Sequence, residues 1–121
     1  MTKQREMPFL AVTKAPVMVD SKLIRACTDG LQAIRLCIQM SGLSQETVGE
    51  QLRIDKGHLT RIMQGRAYFP DAKRKDLMLL CGNYAPVQFD AWALGLELRE
   101  PSNEARIKEL QAEIERLAGA A

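Results

Sequence analysis

The chain has one histidine and three cysteines among its 121 residues. That scarcity removes most catalytic chemistry at once. His58 has no second histidine with which to share a metal or a proton relay. No paired-carboxylate motif or glycine-rich phosphate loop accompanies it. No enzyme is expected, and His58 reads as a packing or phosphate-facing residue on the flank of a helix. Cys27, Cys37 and Cys81 are odd in number and lack CxxC spacing, which argues against a disulfide framework or a zinc knuckle. On one helix Cys27 and Cys37 would stand about 15 Å apart at ~1.5 Å per residue, beyond disulfide reach. Free thiols in a reducing cytoplasm are the expectation. No apolar run approaches the roughly 18–20 residues that span a bilayer. The opening MTKQREMPFLAVTKAPVMVD has no clean apolar stretch and no A-x-A-like cleavage site, so it does not read as a signal peptide. Strand-like alternation of useful length is missing after the first residues.

What is present is helical periodicity. Hydrophobic residues make up 46% of the chain, enough for the core of one compact domain with tails. Residues 1–19 contain Pro8 and Pro16, show no helical period and predict an extended arm, mildly basic through Lys3, Arg5 and Lys14. From Asp20 or Ser21 a long helix is predicted. Ile24, Cys27, Leu31, Ile34 and Ile38 recur at spacings of three and four, Gly30 interrupts at some cost, and Ser41-Gly42 ends it. Ser44 caps a second helix with Glu46 in its first turn, and Asp55 caps a third that Gly65 terminates. FPDAKRKDLMLLCGN predicts a fourth, with Pro70 at its mouth and Leu77 and Leu80 inward. VQFDAWALGLEL predicts a fifth, presenting Phe89, Trp92 and Leu96 to the core. Pro101 breaks the chain, and SNEARIKELQAEIERLA forms a sixth, separate helix. The predicted fold is all-α: an arm over 1–19, five helices over 20–98, and an amphipathic helix within 101–121.

The net charge of +2 is small, but it is unevenly placed. Residues 53–75 carry seven basic side chains (Arg53, Lys56, Arg61, Arg66, Lys73, Arg74, Lys75) against Asp55 and Asp71, a local +5. Residues 83–121 carry seven acids against four bases, a local −3. An anionic partner at the centre of the chain and a plain solvated face both fit that segregation.

LSQETVGEQLRIDKGHLTRIMQG, residues 43–65, separates the two pictures. Two short helices are broken only by Arg53-Ile54-Asp55. Gly49 lies where a missing side chain lets two helix backbones cross closely, and Ile54 is apolar in a turn that should be polar. Two short helices, a tight turn and a small residue at the crossing make a helix-turn-helix. At 100° per residue, the second of them turns Leu59, Ile62 and Met63 inward. Gly57, Thr60, Arg61 and Gln64 form its outward arc, with Lys56 at the near edge. That arc has no acid and no large apolar group. It offers a guanidinium, an amide, a hydroxyl, an ammonium and bare backbone, the groups that bond base edges and phosphates in a major groove. Arg66 and the run Lys73-Arg74-Lys75 extend the candidate DNA contacts, the run as backbone positioning.

This stretch resembles the lambda-repressor-like helix-turn-helix family, of Cro and Xre type, without a gap over residues 43–65. Leu43-Ser44-Gln45-Glu46, Gly49, Leu52, Ile54, Leu59, Arg61, Ile62 and Gly65 carry the match. With the flanking helices the resemblance covers roughly residues 20–98. The continuation to Gly95 looks like small phage and prophage regulators that share a CGN-x-x-P segment before a Trp-containing helix. The resemblance implies that Gln45 touches backbone phosphate and that Lys56, Gly57 and Arg61 stand at base-reading positions. Two residues depart from the pattern. Arg53 replaces the usual turn glycine, and Gly57 replaces a side chain that often reads a base.

In the sixth helix Ile107, Leu110, Ile114 and Leu117 repeat as a, d, a, d, a pattern that suits a parallel two-stranded coil. The stripe fits pairing between chains and equally docking on its own core. The leading expectation is a cytoplasmic, sequence-specific transcriptional regulator that binds double-stranded DNA as a homodimer. No cofactor, metal, membrane or small-molecule ligand is implied. An antitoxin, a phage DNA-packaging or transposition accessory protein, and a protein-binding adaptor remain as alternatives.

Overall fold

Aspartate and serine side chains set the starts of the first four helices. The computed structural model describes residues 15–120. Over that span seven α-helices and one short 3-10 turn follow one another, with no strand among the described residues. The all-α class is observed. In α1 (Ser21–Arg25) the carboxylate of Asp20 accepts from the Lys22 N–H at 2.9 Å. In α2 (Gly30–Ser41) Asp29 does the same for Gln32 at 2.9 Å, while the Gln32 side chain accepts from the Thr28 N–H at 2.8 Å. α3 (Gln45–Leu52) starts at Ser44 and α4 (Lys56–Met63) at Asp55, both as expected. A 3-10 turn (Asp71–Lys73) leads into α5 (Arg74–Cys81). Then come α6 (Ala85–Ala93) and, after a nine-residue connection, α7 (Asn103–Ala120).

The long first helix expected from residue 20 to 42 is in fact two. The apolar period runs on through the break, so periodicity alone hides it. Asp29 and Gln32 decide the matter by reciprocally satisfying backbone donors at a fresh N-terminus. Gly30 therefore sits at the first helical position rather than in a helix interior. Cys27 and Cys37 do not share a helix. All three cysteines are free, and Cys37 and Cys81 are buried side by side. The hydrogen bond between their side chains, reinforced by burial, holds the Cys37 thiol well above its ordinary value.

α2 is the central element: Ala33, Ile34, Cys37 and Ile38 are buried, and the helix packs on α4, α5 and α6. Val48, Leu52, Ile54, Leu59, Ile62 and Leu77 complete the main core. Residues 17–19, expected to belong to the arm, are built into the body. Val17 donates to the Gly82 carbonyl at 3.1 Å and accepts from the Tyr84 N–H at 3.2 Å. The buried Gln88 side chain clasps Val19 from both sides, accepting its N–H at 2.8 Å and donating to its carbonyl at 2.9 Å. Buried Asn83 donates to the Cys37 carbonyl and accepts from the Ala85 N–H, each at 3.1 Å. Every buried side-chain polar atom among the described residues has a partner, as native interiors require. Residues 1–14 of the expected arm lie outside the described residues.

The fifth predicted helix ends earlier than expected, at Ala93, because Gly95 adopts a left-handed conformation (φ 77°). That termination moves Leu96 off the helix. Only Phe89 of the expected trio packs against the core. Trp92 is 49% and Leu96 62% exposed, so they are surface rather than core, and the Arg25 guanidinium lies 5.5 Å from the Trp92 ring centroid.

The α3–α4 crossing is tight. A Cβ at Gly49 would stand 3.1 Å from Leu59 Cδ2 and 3.3 Å from the Ile54 carbonyl oxygen. The turn requires Arg53 in the left-handed region (φ 58°), a strain of roughly 1–2 kcal/mol for a residue with a Cβ. Gly49→Val should therefore lose about 1–3 kcal/mol in urea unfolding, because backbone lies in the way. Arg53→Gly should gain up to about 1 kcal/mol, the relief of strain exceeding the entropy glycine adds to the unfolded chain. An unchanged midpoint for Gly49→Val would mean that the crossing is looser than these distances.

Candidate nucleic-acid interface

The outward arc of α4 exists because its inner face is fixed. Leu59 and Ile62 are buried and Met63 is half-buried, which orients Lys56, Gly57, Arg61 and Gln64 outward, all four exposed. Asp55 holds the start of the helix, its Oδ2 accepting the N–H groups of Gly57 at 3.1 Å and His58 at 3.4 Å. Gly57 leaves a notch: a Cβ there would meet Asp55 Oδ2 at 3.4 Å and Arg61 Nη1 at 3.6 Å. The Arg61 guanidinium thus lies back along the helix over Gly57, with no side-chain acceptor among the described residues.

The other candidate side chains are less free than the sequence implies. Thr60 is half-buried, and its hydroxyl donates to the Lys56 carbonyl at 2.9 Å. Gln64 accepts from Arg66 Nη1 at 2.9 Å. Gln45 is exposed in the first turn of α3, where Ser44 accepts the Thr47 N–H at 3.0 Å. Gln45, Lys56 and Thr60 share one open cleft of about 360 Å³ between α3 and α4. Glu46 and Glu50 line the same cleft, so the neighbouring helix brings two carboxylates to an arc that has none of its own. Charge is divided along α4: acids flank its N-terminal end, while Arg61 stands in its C-terminal half and Arg66 just past its end.

The basic run splits into three roles. Lys73 closes the 3-10 turn, and its Nζ donates to the Leu52 carbonyl, the last of α3, at 2.7 Å. Arg74 pairs with Asp90 of α6 at 2.8 Å, its side chain 29% exposed. Lys75 alone is exposed without an intramolecular partner. Of the run expected to position the DNA backbone, two cations hold helices together in the free chain. Sequence reading missed a fourth cation: Arg35 of α2 donates to the Met63 carbonyl, the last of α4. Cations at helix C-termini satisfy orphan carbonyls and complement the helix dipole. Here they lie 21 and 28 residues from their acceptors, beyond the reach of any local pattern. His58 is half-buried on the flank of α4.

Among the described residues, no group of three or more His, Cys, Asp or Glu side chains could hold a metal ion. No described helix is long and apolar enough to cross a membrane. Compared with family models, with curated proteins and with solved structures, the chain matches none.

Lys73 and Lys75 are two residues apart in sequence but differ in structural role. Lys73→Met should cost about 1–2 kcal/mol in thermal or urea unfolding, since it strips a charged donor from a half-buried helix end. Lys75→Met should stay within about 0.5 kcal/mol of the parent, the usual range for a free surface position. Equal effects would remove the distinction.

Proposed function

We propose that the chain is a sequence-specific DNA-binding transcriptional regulator of the lambda-repressor-like helix-turn-helix type. It lays α4 in the major groove and acts as a homodimer, like the phage and prophage regulators it resembles. One observation carries the reading: α4 is held by its apolar face against the body while its outer face carries an unpaired arginine beside a glycine notch. A major groove of about 12 Å admits a helix presented this way, and arginine is the commonest reader of guanine O6 and N7. The notch at Gly57 lets backbone approach the duplex where a side chain would stand off. Gln45, at the mouth of the preceding helix, is placed for phosphate, as are Arg66 and Lys75. One recognition helix reads few base pairs, so two copies are needed, on half-sites about 34–36 Å apart. The apolar stripe at Ile107, Leu110, Ile114 and Leu117 supplies the link between them.

Selection of bound sequences from a random duplex pool defines the preferred site. Against it, Arg61→Ala should cost about 1–3 kcal/mol, with a much smaller loss on random DNA. Equal losses on both would reduce Arg61 to a phosphate contact, and no salt-dependent binding to any duplex would overturn the DNA-binding reading. Each phosphate contact contributes about 0.9 to the slope of log K against log salt. Replacing Lys73, Arg74 and Lys75 together by Gln should flatten that slope by about one unit, no more than Lys75→Gln alone. A flattening near three units would mean that DNA draws Lys73 and Arg74 away from Leu52 and Asp90.

A further inference from the structure

Two apolar surfaces of this chain are left uncovered. One is an open cleft of about 400 Å³ formed by residues 18–25, α6 and the segment that follows it, lined by Met18, Ile24, Arg25, Trp92, Leu96 and Leu98. The other is the stripe of α7, whose Ile107, Leu110, Ile114 and Leu117 are each more than half exposed. Clustered apolar side chains left in water are where protein contacts form. We propose that the two surfaces are each other's partners across a dimer: α7 of each copy docks by its stripe in the Trp92 cleft of the other. The proposal rests on the two-copy part of the functional reading and is independent of DNA binding.

Three arguments select this occupant. The stripe runs about 15 Å from Ile107 to Leu117 at ~1.5 Å per residue, an apolar ridge of a size that a cleft of about 400 Å³ can receive in part. Docking a chain's α7 in its own cleft would require the chain to reverse between Leu98, in the cleft wall, and Asn103, where α7 starts. Pro101 fixes its own φ and disfavours helical backbone at Glu100, which limits how the four residues between Leu98 and Asn103 can make that reversal. Pairing stripe with stripe would cover two copies of four side chains and leave Met18, Trp92 and Leu96 of both copies in water. Reciprocal exchange covers the same stripes and both clefts together. That is the larger apolar burial, and stable interfaces need roughly 1,200–2,000 Å² in total. Two heptads of coil alone make a short seam.

Trp92 is the chain's single tryptophan, so its emission reports the cleft directly. With the full chain, sedimentation and fluorescence are followed over one concentration series. Exchange predicts a monomer–dimer transition with a parallel shift of Trp92 emission to shorter wavelength. Leu96→Glu changes a residue outside any helix and 62% exposed. It should weaken the dimer by roughly tenfold or more without altering helical signal. Ile114→Glu should do the same from the other side. A dimer whose emission ignores concentration and whose affinity survives Leu96→Glu would overturn the proposal in favour of stripe on stripe. A monomer with blue-shifted emission at every concentration would overturn it in favour of docking in its own cleft. A monomer with solvent-exposed emission throughout would overturn the two-copy reading itself.

Discussion

The contact on which the candidate interface depends is the crossing of α3 and α4 at Gly49. Leu59 Cδ2 and the Ile54 carbonyl occupy the space beside Gly49 that a Cβ would need. Ile54, buried in the turn, seals the space beneath. With the crossing fixed, Leu59 and Ile62 face inward and the arc from Lys56 to Gln64 has to face out. The cost sits at Arg53, held in a left-handed conformation that glycine would adopt without strain. A single turn thus couples two features that look unrelated in the sequence, a glycine in a helix interior and an arginine where a glycine is expected.

Charge around this unit does two kinds of work. Arg35 and Lys73 hold the C-terminal carbonyls of α4 and α3, and Arg74 joins α5 to α6 through Asp90. These cations fix the orientation of the two short helices, neither of which would persist alone at eight residues. Arg61, Lys56 and Lys75 have no such duty. The local excess of positive charge is therefore smaller in effect than in count, and the carboxylates of Glu46 and Glu50 reduce it further at the N-terminal end of α4. Any polyanion approaching this face meets its strongest attraction on the Arg61 side, which restricts how a duplex can be set on it.

Elements governed by local chemistry were legible in the sequence. Ser44, Asp55 and Gly65 mark helix ends by rules that operate within a few residues, and the inward set Leu59, Ile62 and Leu77 follows from period alone. The failures have one physical cause, competition between a local signal and a longer one. The apolar stripe from Ile24 to Ile38 keeps its period across a break made by Asp29 and Gln32, so a stripe was visible and a cap was not. Leu96 shares helical spacing with Phe89, but the left-handed Gly95 ends the helix before it, and Trp92, still within the helix, lies at the rim of the core rather than in it. Arg35, Lys73, Asn83 and Gln88 act on carbonyls and amides far along the chain, and nothing nearby announces them. The position of the candidate site was therefore readable, whereas the division of its side chains between structure and solvent was not.

The proposed exchange also bears on how two recognition helices would be spaced. A stripe-on-stripe dimer would join the bodies through Arg99–Ser102, and the distance between the two copies of α4 would follow the conformations of that connection. In the exchanged arrangement the contact is made on α1 and α6 of the body itself. α6 packs on α2, and α2 holds the end of α4 through Arg35 and the Met63 carbonyl. Each path between the two bodies then crosses one Arg99–Ser102 connection instead of two in series, and within the body that holds the helix every link to the outward arc is a packed or hydrogen-bonded one. Two such paths in parallel narrow the range of separations, and a separation of about 34–36 Å is what two half-sites on one face of a duplex demand. Trp92, half-exposed and met in one copy by the Arg25 guanidinium, gains a further role when the requirement is the spacing of two.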